Sequence, residues 1–415
     1  MRLRLNLSPK QMSKMHRAEA TGPGAGILLA VILASGLFGL AAPVGGGAEE
    51  KSGAAPAREL VERRLASMGT FLDVAVVAAN RETGLAASER VVAEARRVED
   101  LLTTWRDSPL SRLNAAAPGE EVAVGPELAA LLAEMLRWSA RTDEAFDPTV
   151  APLMRAWDLR GAGRVPDRSE LAAAVAATGP GRFRVSPELG TAARLHPAAG
   201  IDEGAWGKGY ALDRIAERLA EAGVGDALID LGGQTLALGR DPSGASGASG
   251  ASGASGKAWR IGIAHPRERQ RPVAMLSVSN LSASTSANSE RGRTAGGRPI
   301  GHELDPHTGE PAFDFGSATV LAPSALVADV LSTAFFVLGP EKGLALSESL
   351  RREGVAQEVL FLIDRGARSH AQDSRRLEAL ASPGFAQHVV SADPEIASVL
   401  TPAVTSPPQP DPPRH

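Results

Sequence analysis

Three short polar segments carry residue types that can do chemistry. The first is Ala328-Asp329-Val330-Leu331-Ser332-Thr333-Ala334, just before the apolar run Phe335-Phe336-Val337-Leu338. Helical spacing sets Asp329 and Thr333 one turn apart on one face. A carboxylate and a hydroxyl there are hard oxygen ligands of the kind Mg²⁺ or Ca²⁺ takes. The same pair also suits a plain helix start, with Asp near the positive end of the dipole and Thr bonded to its own chain. The second is Gly301-His302-Glu303-Leu304-Asp305-Pro306-His307-Thr308-Gly309-Glu310-Pro311. Its Asp-Pro and Thr-Gly steps predict a tight hairpin turn. His302 ahead of that turn is either a general base near neutral pH or an exposed turn residue. The third runs from Ile201 to Asp213, with Asp202, Glu203, Ala205, Trp206 and Gly207-Lys208-Gly209-Tyr210. Small residues let a ligand approach the backbone, and a helix N-terminus beside a lysine favours phosphate. A glycine-rich strand-to-helix turn explains the same residues.

Weaker segments accompany these. Met68-Gly69-Thr70 opens a strand, Thr103-Thr104-Trp105-Arg106-Asp107-Ser108 and Leu113-Asn114 follow a helix, and Ala145-Phe146-Asp147-Pro148-Thr149-Val150 follows the next. Asp230-Leu231-Gly232-Gly233-Gln234 reads as strand, and Ser284-Thr285-Ser286 as following one. A dinucleotide-binding Gly-x-Gly-x-x-Gly after a strand, a P-loop and a His-Glu-x-x-His helix are absent.

The elements that must position these residues are partly legible. Residues 59–67 and 89–102 have helical spacing, and 70–79 reads as a strand. Residues 127–142 form an amphipathic helix, with Leu128, Leu131, Leu132, Met135 and Leu136 on one face. Residues 210–222 form another, carrying Ile215, Leu219 and Ala222, while 226–238 and 259–264 read as strands. Between those strands, residues 243–256 repeat Ser-Gly-Ala, a composition with no side chain able to build a core, and are expected to be a flexible insertion. The proline-rich tail 401–415 is expected to be disordered, and 48–58 to be a flexible lead to one domain over 59–400.

Composition narrows the class. The chain has 415 residues, 43% hydrophobic and 22% charged, enough for a sizeable core. A net charge of −4 supplies no basic field for nucleic acid. Aromatics are only 4%, with Tyr210 the single tyrosine, so a base-stacking platform is excluded as well. There is no cysteine, which removes disulfides, thiol nucleophiles, Cys-ligated zinc and a lipid-bearing cysteine. Residues 1–17 carry Arg2, Arg4, Lys10, Lys14 and Arg17, and an apolar stretch follows from Gly24 to Ala42. Residues 1–47 thus read as a signal peptide or an N-terminal membrane anchor, and the protein is expected to be exported to the outer face of a bacterial inner membrane or the periplasm.

Taken in order, these motifs resemble the ApbE family, the FAD:protein FMN transferases. They are Met-Gly-Thr, Thr-Thr-Trp…Ser…Leu-Asn, Phe-Asp-Pro-Thr, Asp…Gly-Lys-Gly-Tyr-Ala…Asp, Leu-Gly-Gly, Thr-Ser, His-x-x-Asp-Pro-x-Thr-Gly and Ala-Asp-x-x-x-Thr-Ala. The resemblance runs from about Met68 to about Gly339. It implies an α+β fold with mixed or antiparallel sheets flanked by helices, and FAD in a cleft. It implies transfer of FMN from FAD to a Thr or Ser hydroxyl of an acceptor protein, with AMP released. FAD pyrophosphatase activity and non-catalytic flavin binding are the alternatives. It implies a divalent metal, Mg²⁺ with Ca²⁺ or Mn²⁺ as alternates, on Asp329, Thr333 and the carbonyl of Ala205. His302 would deprotonate the acceptor hydroxyl. Lys208 and Asp202 would contact FAD, Met68 and Trp105 would flank the flavin ring, and Ala145, Phe146 and Asp147 would line the nucleotide pocket. The chain departs from the family pattern at Glu144, Glu203, Trp206, Gln234, Ala287 and Ser289. It carries no acceptor sequence of the family's kind, so the expected acceptor is another exported protein, such as a subunit of a membrane electron-transfer complex.

Overall fold

The computed structural model describes residues 58–242, 256–288, 293–295, 297–364 and 377–400. The N-terminal charged and apolar segment, the lead up to Ala57, the Ser-Gly-Ala run before Gly256, Ser289 and the tail from Thr401 lie outside the described residues.

The chain opens with the hairpin β1 (Glu59–Ser67) and β2 (Thr70–Ala78), then α1 (Arg81–Leu102), α2 (Pro109–Ala115), β3 (Val122–Ala123) and α3 (Pro126–Arg141). Next come α4 (Ala151–Ala156), α5 (Arg168–Ala176), β4 (Phe183–Ser186), β5 (Thr191–Arg194) and α6 (Gly207–Glu221). Strands β6 (Asp226–Leu231), β7 (Gln234–Leu238), β8 (Trp259–Ala264), β9 (Pro272–Val278) and β10 (Leu281–Ser286) follow. After β11 (Arg293–Ala295), β12 (Arg298–Ile300) and β13 (Gly316–Ala322) come α7 (Ala325–Leu338) and α8 (Pro340–Arg352). The last elements are β14 (Glu358–Asp364), β15 (Leu377–Ala381), β16 (Val389–Ala392) and α9 (Ala397–Leu400).

Eight strands form the central sheet in the order β1-β2-β6-β7-β10-β13-β14-β15. Each of these pairs is antiparallel, so the α+β expectation resolves to an antiparallel sheet. Side chains alternate across it. In β2, Leu72, Val74 and Val76 face a core shared with α1, α3, α6 and α7, while Val77 faces a second core beneath the small sheet β16-β9-β8. A third cluster joins α4 and α5 to Ile300 and Leu304. The layers are therefore helices, large sheet, small sheet.

Several local expectations change. Residues 59–67, expected to be helical, form strand β1, paired residue by residue with β2 from Glu59↔Ala78 to Ser67↔Thr70. Its exposed positions are filled by Glu62, Arg64 and Ala66, which suit a helix as well as a one-sided edge strand; pairing across the Met68-Gly69 turn decides. Helix α1 begins at Arg81 rather than Glu89, because Asn80 caps it by accepting from the Thr83 N–H at 2.9 Å. Residues 226–238 are two strands. Gly232 and Gly233 take φ of 60° and 90°, the left-handed pair a two-residue hairpin turn needs. Ser284, Thr285 and Ser286 lie within β10 rather than after it.

Candidate active site

The site is built where α6 packs against α7, which lies over β10. The crossing is close: a Cβ on Gly209 would stand 2.4 Å from the Ala325 carbonyl oxygen and 2.7 Å from the Leu326 Cα. Each helix caps the other. Asp213 of α6 accepts from the Ala325 N–H at 2.6 Å, the Leu326 N–H at 3.0 Å and the Ser324 hydroxyl at 2.6 Å, at the start of α7. Asp329 of α7 accepts from the Gly209 N–H at 2.9 Å, near the start of α6. Trp206 at the head of α6 gives no side-chain cap of its own, so Asp329 supplies the anion that this helix end favours. Asp329 lies beyond the first turn of its own helix, so the simple reading of it as an N-terminal residue of α7 does not hold.

Asp329 is only 3% exposed, and a cation and hydroxyls surround it. Lys208 Nζ donates to its two oxygens at 3.2 and 3.4 Å and to the Gly204 carbonyl at 3.4 Å. The Ser284 hydroxyl lies 3.4 Å from Asp329 Oδ1. Ser332 lies 3.2 Å from both Ser284 and Ser286, and Ser286 lies 3.4 Å from Thr333 Oγ1. The period-two face of a strand thus meets the i, i+3, i+4 face of a helix, forming a row of hydroxyls beside one carboxylate.

His302 comes from the segment after β12 and is pinned from the end of β10. The His302 N–H donates to Asn288 Oδ1 at 3.1 Å, and its imidazole Nε2 is 3.4 Å from Glu303 Oε1. Asn288 follows Ser286, the partner of Thr333, by two residues, a chain span of at most about 7 Å. The end of β10 therefore carries both the partner of Thr333 and the acceptor for the His302 backbone N–H. The predicted turn follows: the Gly309 N–H donates to the Asp305 carbonyl at 2.8 Å, and the Asp305 N–H to the Glu310 carbonyl at 2.9 Å.

Other expected site residues lie on four separate loops. Ala205 sits half-buried on the loop into α6, packed against the main core. Asp202 on that loop accepts from the Gly204 N–H at 2.9 Å and pairs with Arg160. Glu203 beside it is pushed up to about 7 by burial and by the Asp202 charge, against the pull of Arg160. Met68 is at the β1–β2 turn with φ of 49°, and its N–H donates to Glu99 at 3.0 Å. Trp105 is 71% exposed, with the Arg160 guanidinium 4.7 Å above its ring. Ala145 and Phe146 are 3% and 0% exposed, so their side chains belong to the core and only their backbone can face a ligand. Asp147 is 4% exposed, and its Oδ1 accepts from the Thr149 N–H and hydroxyl at 2.7 Å. Its Oδ2 is buried with no hydrogen-bond partner among the described residues. Burial pushes its carboxyl up to about 6, with nearby Glu144 adding to the raise and His307 opposing it.

Sequence reasoning missed Arg160 and Asn288, and it gave Ser332 and Asp213 no role. Asn114, flagged in the Leu-Asn motif, clasps the loop before Asp202: it donates to the Ile201 carbonyl at 2.9 Å and accepts from the Ile201 N–H at 2.8 Å.

The family model of the ApbE family matches residues 68–357. The chain belongs to the ApbE family. It is similar to a Klebsiella pneumoniae protein called FAD:protein FMN transferase, at 31% identity over 308 residues, 72% of this chain and 83% of the relative. A Treponema pallidum protein of the same name is 32% identical over 305 residues, 71% of this chain and 82% of that one. Among solved structures, the apo form of Pseudomonas stutzeri flavinyl transferase ApbE superposes with a TM-score of 0.65 at 28% identity, covering 81% of this chain and 98% of that one. Flavin transferase ApbE from Vibrio cholerae does so at 0.65 and 27%, covering 80% and 99%. The ApbE architecture, with its antiparallel sheet flanked by helices, is thus shared.

The donor set fits a hard divalent cation. Among the described residues no three His, Cys, Asp or Glu side chains cluster as an all-protein cage. One buried carboxylate beside hydroxyls could instead hold an ion that fills the rest of its shell from water and ligand oxygens, as Mg²⁺ does.

Proposed function

We propose that this chain transfers the FMN half of FAD to a Thr or Ser hydroxyl of an acceptor protein, releasing AMP, in a reaction that needs Mg²⁺ or a similar ion. The supporting observation is the Asp329 centre: a buried carboxylate, paired with Lys208 and flanked by Thr333 and the β10 hydroxyls. Asp329, Thr333 and the Ala205 carbonyl would hold the ion, which supplies charge neutralisation on the pyrophosphate. Lys208 would turn from Asp329 to a phosphate oxygen. Asp147, with its unpartnered oxygen, would accept a hydrogen bond from the nucleotide. His302 would take the proton of the attacking hydroxyl, aligned opposite the leaving AMP. Holding both reactants in line on fixed elements supplies much of the rate.

The charged and apolar N-terminus supports an acceptor outside the cytoplasm, such as an exported subunit of a membrane electron-transfer complex. The test incubates the protein with FAD, Mg²⁺ and a candidate acceptor, and reads covalent flavin fluorescence on a denaturing gel. Labelled acceptor with stoichiometric AMP supports transfer. AMP without label replaces it with FAD hydrolysis, and no turnover removes both.

A further inference from the structure

Arg160 has no counterpart among the expected site residues, yet it touches two of the segments that carry them. It lies in the loop after α4, which is fixed at its base. The Trp157 Nε1–H donates to the Gly309 carbonyl at 2.8 Å, on the turn that follows His302. The Arg164 N–H returns to the Trp157 carbonyl at 2.9 Å, and the Ala162 N–H donates to Asp158 Oδ2 at 3.0 Å. From this base the guanidinium donates to the Thr104 hydroxyl at 2.5 Å, pairs with Asp202, and lies 3.4 Å from Glu203. The same group stacks 4.7 Å from the centre of the Trp105 ring.

These contacts are unequal in their surroundings. The Asp202 and Glu203 side chains are 9% and 17% exposed, and they repel each other. Arg160 is the cation that offsets this repulsion, although burial still leaves Glu203 pushed up to about 7. Trp105 is 71% exposed, and the stacked guanidinium covers one of its faces. A planar fork can lie flat on a ring while its edge donates to carboxylates, a geometry that the point charge of an ammonium does not fix.

We infer that Arg160 is a positioning residue for the flavin end of the site: anchored on Asp202 and Glu203, it sets the Trp105 ring in the pose that receives the isoalloxazine. This rests on the reading of FAD as substrate. Its ligand is the tricyclic ring of a flavin, not the adenine half, so loss of Arg160 weakens flavins selectively.

Trp105 can be read directly. The other four tryptophans, Trp138, Trp157, Trp206 and Trp259, are 6%, 5%, 0% and 4% exposed, so quenching by neutral acrylamide reports on Trp105. Arg160→Ala is expected to raise acrylamide access to that ring. It should weaken FAD and FMN binding about 5- to 30-fold by fluorescence titration, and leave ADP binding within about twofold. Arg160→Lys keeps the charge and should recover little of the loss. In a Trp105→Ala background, Arg160→Ala should add less than about twofold, because the two act as one unit. Equal loss for ADP and FMN, full recovery with lysine, or additive effects of the two substitutions would each overturn the inference. A wild-type protein that binds neither FAD nor FMN would instead overturn the flavin-substrate reading. If the alanine variant unfolds, Arg160→Gln, which keeps a donor to Asp202, carries the same comparison.

Discussion

The two ends of the proposed site are built in opposite ways. At the phosphate end, Asp329 is 3% exposed, locked between two helix starts and a strand, and bonded to backbone, lysine and hydroxyls. At the flavin end, Trp105 is 71% exposed on a loop, its ring stacked against one arginine. The difference follows from the work each end does. Charge stabilisation needs fixed groups in a region of low dielectric, where reorganisation would cost rate. Stacking against a flat ring tolerates an adjustable partner. The buried end should therefore be brittle and decisive, and the exposed end tolerant and selective.

The sharpest way to break this contrast is Asp329→Asn. It keeps the shape and the acceptor for the Gly209 N–H but removes the charge, and turnover should fall by at least about 1,000-fold in initial-rate assays against Mg²⁺. A loss as small as that of a surface residue would erase the contrast.

Asp147, a second buried carboxyl of the proposed site, tests burial through stability. Its native carboxyl binds a proton more tightly than the unfolded one, holding it up to about 6 against 3.8. The stability it contributes is whole below pH 4 and is lost as pH rises through 6. The raise corresponds to about 3 kcal/mol. Asp147→Asn should flatten that fall, which urea unfolding at pH 4, 6 and 8 measures.

How much of this was legible in the sequence differs between the two ends. Asp329, Thr333, Lys208 and His302 were all flagged, because charged and hydroxyl groups in otherwise apolar, glycine-marked elements stand out. Their contact was not legible. Ser284 and Ser286 alternate on a strand and Ser332 lies on a helix, and only the crossing of α7 over β10 brings them together. Arg160 gave no signal, since an arginine in a Gly-rich loop is an ordinary solvated residue until its neighbours are known. The fold class came from the family resemblance, which the amphipathic helix at 127–142 and the strand at 70–79 fit. Strand β1 was not, because an edge strand with charged outer positions shares the composition of a surface helix.

Gly209→Ala measures how tightly the buried end is set. The added methyl meets the Ala325 carbonyl and must part α6 from α7. A loss of about 1–3 kcal/mol in urea unfolding is expected. The smallest effect belongs to the exposed end. Trp105→Ala should leave unfolding within about 0.5 kcal/mol while weakening FAD binding several-fold in fluorescence titrations. A destabilised Trp105→Ala protein would mean that the flavin end is structural, and the contrast would fail.

The central claim is that the Asp329 centre binds a divalent ion together with substrate phosphates. Paramagnetic titration of Mn²⁺, with and without ADP, reads this without turnover. The wild-type protein is expected to show one tight site that ADP strengthens and that Asp329→Asn removes. Equal Mn²⁺ binding by the wild-type and Asp329→Asn proteins would contradict it.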